Sequence, residues 1–251
     1  MELKGTKIGE VAGLWRYPVR SMRGEAPEAL EIGLGGVIGD RRYAIADPEI
    51  EELVSSAQGK RRWRALVTMS ARYDGVPRED HVPPVEIETD DGTTLRTDDA
   101  DADLRLAEIL GQPARLVREG TVKAPYGHDP IHLLTTASLK AFAAHYPTSR
   151  FAAERFRPNI LLDTDKLEGF IENQWIGRVL AIGDTVRLMV KDHCKRCVMT
   201  TLAQGDLPQD PAILQVVNET NGTHAGIYTD VTRPGTAKLG DAVVLVDQAP
   251  A

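Results

Sequence analysis

Short apolar runs with a period of two, separated by glycine and proline, constrain the fold of this chain more than any other feature of its sequence. Ile8–Tyr17 alternates in this way and ends at Pro18, and Ala29–Gly33 and Val85–Glu88 read as further short strands. Alternation of this kind is typical of strands with one buried face. The 22 glycines and 15 prolines supply many turns. We therefore predict a mainly β protein with a few helices, an α+β fold.

A few segments carry helical signals instead. The predicted helices run from about residue 104 to 110, from 138 to 146 and from 211 to 218. Gly111 closes the first helix, and Thr135 or Thr136 can cap the second. For these two hydroxyls, capping and ligand contact remain alternatives.

Further strands are predicted over Ala65–Tyr73, Trp175–Ile182 and Thr185–Val190, and the last two lead to the cysteines. The stretch Gly120–Pro130 is polar and rich in glycine and proline. Such composition is typical of a boundary, so we predict that it separates an N-terminal all-β part from the rest of the chain.

The charge balance restricts the partners of the protein. Thirty basic and 37 acidic residues give a net charge of −7, which disfavours nonspecific binding to nucleic acid or to an anionic membrane. No apolar run approaches the roughly 20 residues of a spanning helix, and Met1–Gly9 lacks the apolar core of a signal peptide. We expect a soluble cytoplasmic protein that engages neither nucleic acid nor a membrane.

Both cysteines lie in the segment Lys191–Thr201, as Cys194-Lys-Arg-Cys197. A Cys-x-x-Cys pair can be half of a zinc site, but the histidines of the chain stand at no recognisable zinc spacing. It can be a dithiol redox pair, which should open a helix; β-branched residues immediately after Cys197 argue against that.

Two further interpretations of the cysteines remain. One cysteine alone can ligate the metal of an exogenous cofactor, and Lys195 and Arg196 would favour its thiolate form electrostatically. Alternatively, both cysteines merely pack near a strand end. The residue chemistry by itself does not choose among these four interpretations.

Several separated motifs together resemble the MOSC-domain proteins with an N-terminal MOSC β-barrel, relatives of the mitochondrial amidoxime-reducing component and of the C-terminal domain of molybdenum-cofactor sulfurases. The motifs are Tyr17-Pro-Val-Arg-Ser21, Gly39-Asp-Arg-Arg-Tyr43, Leu133-Leu-Thr-Thr-Ala-Ser-Leu139, Phe156-Arg-Pro-Asn159, Cys194-Lys-Arg-Cys-Val-Met-Thr-Thr201, and Pro234-Gly-Thr236 with Gly240-Asp241. In this order they extend over nearly the whole chain. The resemblance implies an N-terminal β-barrel subdomain over residues 1–120, packed on a β-barrel MOSC domain over residues 121–251.

The resemblance also implies a site. Cys197 would be the catalytic thiolate that ligates molybdenum of the molybdenum cofactor (Mo-molybdopterin), with Cys194 auxiliary. The residues that would bind the anionic phosphate and the polar pterin are Arg20, Ser21 and Arg41 from the first half and Thr135, Ser138, Arg157 and Asn159 from the second. The chain departs from the amidoxime-reducing relatives at Arg20, where they usually have lysine, and at 201–208, where they have a Val-Asp-Pro-type turn.

The function implied is a molybdenum-dependent oxidoreductase that reduces N-oxygenated small molecules such as hydroxylamines or amidoximes. Because the sequence shows no flavin, haem or iron–sulfur motif, we expect a separate electron-donor protein, a reductase or a small electron carrier. No aminotransferase-like sulfurase domain is recognisable, so pyridoxal phosphate is not expected. Two alternatives stay open: a sulfur-transfer protein that carries a persulfide on Cys197 without molybdenum, and a cofactor-binding module without turnover.

Overall fold

The computed structural model describes residues 4–57, 61–118, 121, 131–164 and 166–247. The predicted boundary at Gly120–Pro130 lies almost entirely outside these residues. The strands are β1 (Gly5–Leu14), β2 (Ala29–Gly33), β3 (Gly36–Val37), β4 (Tyr43–Asp47), β5 (Glu52–Leu53), β6 (Ser70–Tyr73), β7 (Val85–Glu88), β8 (Thr94–Arg96), β9 (Arg115–Arg118), β10 (Ile131–Thr135), β11 (Ile160–Asp163), β12 (Val179–Ile182), β13 (Val186–Lys195), β14 (His224–Arg233), β15 (Gly235–Lys238) and β16 (Ala242–Val246).

Helices occupy a smaller share of the described chain. The α-helices are α1 (Ala102–Leu110), α2 (Thr136–His145), α3 (Ala153–Phe156) and α4 (Ala212–Asn221), and 3-10 helices cover Arg61–Val67, Ile171–Trp175 and Val198–Thr201. The prediction of a mainly β protein with a few helices is confirmed.

Seven strands close into one barrel, in the order β1-β11-β10-β14-β13-β12-β16. All neighbours are antiparallel except β10 and β11, which run parallel and pair Leu133 with Ile160. Alternate residues of the strands point inward; in β13, Val186, Leu188 and Val190 are buried. Burial of these aliphatic side chains against one another is the main force that holds the barrel together.

Three further sheets of three strands come from the N-terminal half and from β15: β2 lies between β3 and β15, β4 between β5 and β9, and β7 between β6 and β8. A separate apolar cluster that includes Met22, Trp63 and Ile87 joins the β4 and β7 sheets, whereas Leu30 and Ile32 of β2 pack into the barrel core. Two strands cross the predicted division of the chain, because β1 belongs to the barrel and β15 pairs with β2. Assignment of residues 1–120 and 121–251 to separate domains stays a prediction.

The sequence pattern located some strands well and failed at others. β2 and β7 have the predicted bounds. The predicted strand Ala65–Tyr73 begins only at Ser70, because Trp63, Leu66 and Val67 are all buried at helical spacing in a 3-10 helix. In the same way, Trp175 ends a 3-10 helix, so that the strand predicted from it starts at Val179.

Of the helices in the described ranges, none has the length and apolarity that crossing a membrane requires.

Gly226 in β14 permits the barrel to close beside β10. Its φ is +80°, and a Cβ at this position would collide with the carbonyl oxygen of Leu133 and with the His132 ring. Gly240 offers a matched comparison, because its φ is +81° but a Cβ there would meet no atom within 4 Å. The two glycines therefore share backbone strain and differ in close approach.

We expect Gly226→Ala to destabilise the protein far more than Gly240→Ala. Backbone strain alone should cost about 1–2 kcal/mol at either position, whereas Gly226→Ala must also separate β14 from β10. Urea unfolding of the two variants measures the difference. Equal free energies of unfolding would show that the strands do not approach as closely as described.

Candidate functional site

A cleft of about 520 Å³ opens beside the second cysteine, and we call it the Cys197 cleft. Its walls come from both halves of the chain. The lining residues are Arg20, Ser21, Arg41, Ser55, Ala57, His132, Phe156, Arg157, Lys195, Arg196, Cys197, Met199 and Tyr228. Five of them are cationic and none is acidic, so the cleft suits an anionic ligand.

Five of the residues predicted for the site line this one cleft: Arg20, Ser21, Arg41, Arg157 and Cys197. They are far apart in sequence, and the fold brings them together. Their roles toward a cofactor stay predictions.

Two other predicted residues, Thr135 and Ser138, are buried and do not line the cleft. Their hydroxyls donate to the Glu172 carboxylate over 2.7 and 2.5 Å, and Thr135 accepts the backbone N–H of Ser138 as the cap of α2. Burial raises the pKa of Glu172, which the two hydroxyl donors oppose. Thr135 is therefore the N-cap of α2, and the Ser138 hydroxyl is bonded to Glu172; the predicted contact of these two residues with a cofactor stays a prediction.

Asn159, also predicted to bind the cofactor, is fully buried outside the cleft lining. Its Oδ1 accepts from the His132 backbone N–H at 3.1 Å, and its Nδ2 donates to the Trp15 carbonyl at 3.3 Å. Asn159 thereby links Trp15, which follows β1, to His132 in β10, and it helps to fix the position of the cleft wall that contains His132.

Backbone hydrogen bonds join the two loops that contain Arg20, Ser21 and Arg41. The Arg41 N–H donates to the Tyr17 carbonyl at 2.6 Å, and the Arg20 N–H donates to the Tyr43 carbonyl at 2.8 Å. Ser21 and Arg41 have φ values of 70° and 51°, in the left-handed region. Non-glycine residues seldom adopt this conformation, and it is enriched at functional sites.

Two guanidiniums pack on the buried ring of Tyr17. The Cζ atoms of Arg157 and Arg41 lie 4.2 and 5.0 Å from the ring centroid. The Tyr17 hydroxyl donates to the Pro158 carbonyl at 3.0 Å, and its backbone N–H donates to the Asp40 carboxylate at 2.7 Å. The ring is therefore fixed, and it fixes the two cations in turn.

The positive charges of Arg41 and Arg157 are offset by neighbouring groups to different degrees. Burial disfavours the charge of Arg41, but the adjacent Asp40 carboxylate, together with Tyr17 and Tyr228, outweighs that effect and raises the pKa of Arg41. Arg157 is 5% exposed, and in the described part of the chain both of its terminal nitrogens lack a hydrogen-bond partner. Burial lowers its pKa to about 10, so that it remains a cation at neutral pH. Arg157 is therefore prepared for an anion that the protein does not supply.

The two cysteines have different environments. Cys194 is fully buried and accepts a hydrogen bond from Arg196, whereas Cys197 is exposed at the start of a 3-10 helix. The expectation that no helix follows Cys197 is wrong, because Val198–Thr201 forms this short 3-10 turn. The described residues contain no group of three or more His, Cys, Asp or Glu arranged for a metal ion. The zinc interpretation therefore finds no further ligands there.

The segment after Cys197 is held by the buried guanidinium of Arg155 in α3. Its nitrogens donate to carbonyl oxygens of Arg150, Thr200, Leu202 and Pro208, at 2.7 to 3.4 Å. One side chain thus joins α3 to the 3-10 helix that Cys197 begins. Arg157 follows two residues later, so α3 positions both the thiol segment and the unpaired cation.

Sequence reasoning missed some functional neighbours of the site. It named Arg196 as a cation beside the cysteines, but it assigned no role to Tyr17, although this residue stands within the motif Tyr17-Pro-Val-Arg-Ser21. Arg155 and His132 had none, because their partners lie far away in the sequence. Their contacts require the tertiary structure.

The comparisons with known proteins agree with this architecture. Residues 123–244 match the family model described as the MOSC domain. The YuaD protein from Bacillus subtilis has a solved structure that covers 98% of this chain and 100% of its own, with 13% identity and a TM-score of 0.54. At this identity the likeness concerns the fold alone. Among proteins of curated function, none matches this sequence.

Two further solved structures share less of the chain. YiiM from Escherichia coli has 17% identity and a TM-score of 0.36, over 52% of this chain and 60% of its own. YiiM from Geobacillus stearothermophilus has 18% identity and a TM-score of 0.35, over 53% and 67%.

His132 should make the folded state less stable as the pH falls. Burial, followed by the nearby Arg196 charge, lowers its pKa from 6.5 to about 3. Between these two pH values, His132 binds a proton in the unfolded chain but not in the folded chain. The free energy of unfolding is therefore highest above pH 6.5, and as the pH falls below 6.5 it decreases by up to about 1.4 kcal/mol per pH unit. His132→Gln should flatten this slope in pH-dependent urea unfolding.

The exposed His145 provides the control for this prediction. His145→Gln should keep the slope of the wild type. A steep slope in both variants would assign the acid sensitivity to other groups.

Arg155→Lys should loosen the segment that follows Cys197. An ammonium cannot reproduce the planar fork that reaches four carbonyls, so we expect a loss of about 2–4 kcal/mol and faster proteolysis within residues 200–208. Limited proteolysis with mass spectrometry locates the cleavage. Arg72→Lys, at an exposed arginine that pairs with Glu86 outside this segment, should leave the pattern unchanged. Uniformly faster cleavage over the whole chain would indicate general destabilisation instead.

Proposed function

This chain contains a MOSC domain, and we propose that its Cys197 cleft binds the molybdenum cofactor and reduces N-oxygenated compounds of the hydroxylamine or amidoxime type. A MOSC domain indicates a molybdenum-cofactor-binding or sulfur-related function. One observation carries the finer proposal: an exposed thiol stands in a cleft with five cations, and one of them, Arg157, is buried with no hydrogen-bond acceptor for its terminal nitrogens among the described residues.

The residues present fit an anionic cofactor. Arg20, Arg41 and Arg157 would hold its phosphate and its polar ring system, because guanidiniums donate several hydrogen bonds in a planar fork. An acceptor from the cofactor would satisfy the terminal nitrogens of Arg157, which otherwise remain buried and unpaired. The Ser21 hydroxyl lines the same wall.

Cys197 would hold the metal. A thiolate is a soft ligand of the kind that molybdenum accepts, and the exposed position of Cys197 leaves its sulfur accessible. Cys194 is buried against Arg196 and is not available for this role. When bound, the cofactor would supply two-electron removal of an oxygen atom from the substrate.

The contribution of the chain itself would be placement and electrostatics. Arg155 holds the thiol segment, the Tyr17 ring holds Arg41 and Arg157, and the cationic walls favour an anion. We also propose that electrons arrive from a separate reductase or small electron carrier, because the sequence has no motif for a second redox group.

We expect the protein, purified from a host that makes the molybdenum cofactor, to contain near-stoichiometric molybdenum and pterin. Cys197→Ser should lose the metal, and Cys194→Ser serves as the matched control and should retain it. Metal analysis and fluorescence of the oxidised pterin measure both components. Neither metal nor pterin in the wild type, with cyanide-releasable sulfur on Cys197 instead, would establish the sulfur-transfer alternative.

The loaded protein also tests turnover. Reduction of a model amidoxime with a reduced viologen dye as electron donor should depend on Cys197. Stoichiometric cofactor without any reduction of N-oxygenated compounds would leave a binding module and would overturn the enzymatic part of the proposal.

A further inference from the structure

A second cavity, the Gln204 chamber, shares a wall with the Cys197 cleft. Its volume is about 270 Å³, and Arg157 lines both cavities. Other residues that line the chamber include Trp15, Tyr17, Glu154, Gln204 and Leu207. The function proposed for Cys197 makes no use of this space.

Two buried side chains of the chamber carry unused hydrogen-bond donors. Gln204 is 4% exposed, and its Nε2 has no partner within the ranges that the structure describes. The terminal nitrogens of Arg157 are in the same situation there. Buried donors without acceptors are rare in folded proteins, and two that converge on one cavity point to an acceptor brought by a ligand.

The charges of the chamber favour an anion. Arg150 pairs with Asp206 at 3.0 Å, and Arg23 pairs with Asp90 at 3.2 Å, so these two cations are compensated. Glu154 is exposed, whereas the unpaired Arg157 is buried and feels its charge more strongly. A planar guanidinium beside an amide N–H₂ suits a carboxylate, which accepts at both oxygens.

The remaining walls are flat and apolar. Trp15 is half-buried and Tyr17 is buried, and both aromatic residues line the chamber. Leu207 and Ala26 add further apolar surface. Such walls favour a planar ring over an extended polar chain.

The chamber is built before any ligand arrives. Gln204 and Leu207 exchange backbone hydrogen bonds of 3.0 and 2.9 Å, which close a tight hairpin. Gly205 has a φ of +55°, and a Cβ there would lie 3.0 Å from the Arg23 guanidinium. The hairpin thus packs closely against Arg23. Because it is already held in place, the hairpin would lose little conformational freedom when a ligand binds.

We propose that the Gln204 chamber is a second binding site and takes a small aromatic carboxylate. The carboxylate accepts from Arg157 and from Gln204 Nε2, and the ring packs against Trp15. Arg157 also lines the Cys197 cleft, so a ligand in the chamber and a ligand in the cleft would bind the same guanidinium. Binding in the two cavities is therefore coupled.

Benzoate is the probe for this proposal, with calorimetric titration of the full chain and the fluorescence of Trp15 as readouts. Trp63 and Trp175 are almost fully buried elsewhere, so Trp15→Phe should remove the response to benzoate. Gln204→Leu keeps the volume and removes the donor, and it should weaken benzoate about tenfold. Since it also removes an unpaired buried group, its Tm without ligand should equal or exceed that of the wild type.

Two matched variants decide the outcome. Gln215→Leu, at an exposed glutamine of α4, and Lys195→Gln, in the Cys197 cleft alone, should bind benzoate like the wild type. Benzyl alcohol, which keeps the ring and lacks the charge, should bind more weakly. No binding of benzoate at tens of millimolar, or weakening by Lys195→Gln with no effect of Gln204→Leu, would overturn the proposal.

Discussion

Two guanidiniums packed on one buried tyrosine ring form the contact on which the chemistry of this molecule depends. Tyr17 is delivered by the chain that leaves β1, Arg41 by the turn before β4 and Arg157 by the end of α3. Like charges would not gather in a protein interior unaided, because burial disfavours each of them. Asp40 neutralises Arg41 and the ring supports both guanidiniums, so that of these two charges the one on Arg157 has no carboxylate bonded to it in the described part of the chain.

The barrel and the site divide the tasks of the fold. Seven strands give a rigid wall of aliphatic side chains, and the chemistry-bearing residues stand on the segments that connect strand ends. Within Cys-x-x-Cys the same logic separates two identical side chains. Cys194 still belongs to β13 and is buried, whereas Cys197 stands past the strand end and is exposed. Three residues of sequence suffice for this change of environment.

Local pattern predicted much of the fold and part of the site. Alternation with bounding turns located β2 and β7, and Gly111 marked the end of α1, because these signals are local. The 3-10 helices that end at Val67 and Trp175 were mistaken for strand, since a short apolar run does not reveal its period.

For the site, motif identity brought Arg20, Ser21, Arg41, Arg157 and Cys197 to one cleft, but it could not show which polar groups the protein itself consumes. Thr135, Ser138 and Asn159 have motif positions as suggestive as the others, yet their partners Glu172, His132 and Trp15 are internal.

The pairing of β1 with β11 and β16 has a further consequence for any shortened form of the chain. The segment 123–244 that matches the MOSC model contains five of the seven barrel strands and the first three residues of β16, and it lacks β1. Without β1, the edges of β11 and β16 would be left unpaired on either side of a gap that opens into the aliphatic core. Unpaired strand edges pair readily with strands of other chains. The strand Gly5–Leu14 thus closes a barrel whose other strands begin more than a hundred residues later.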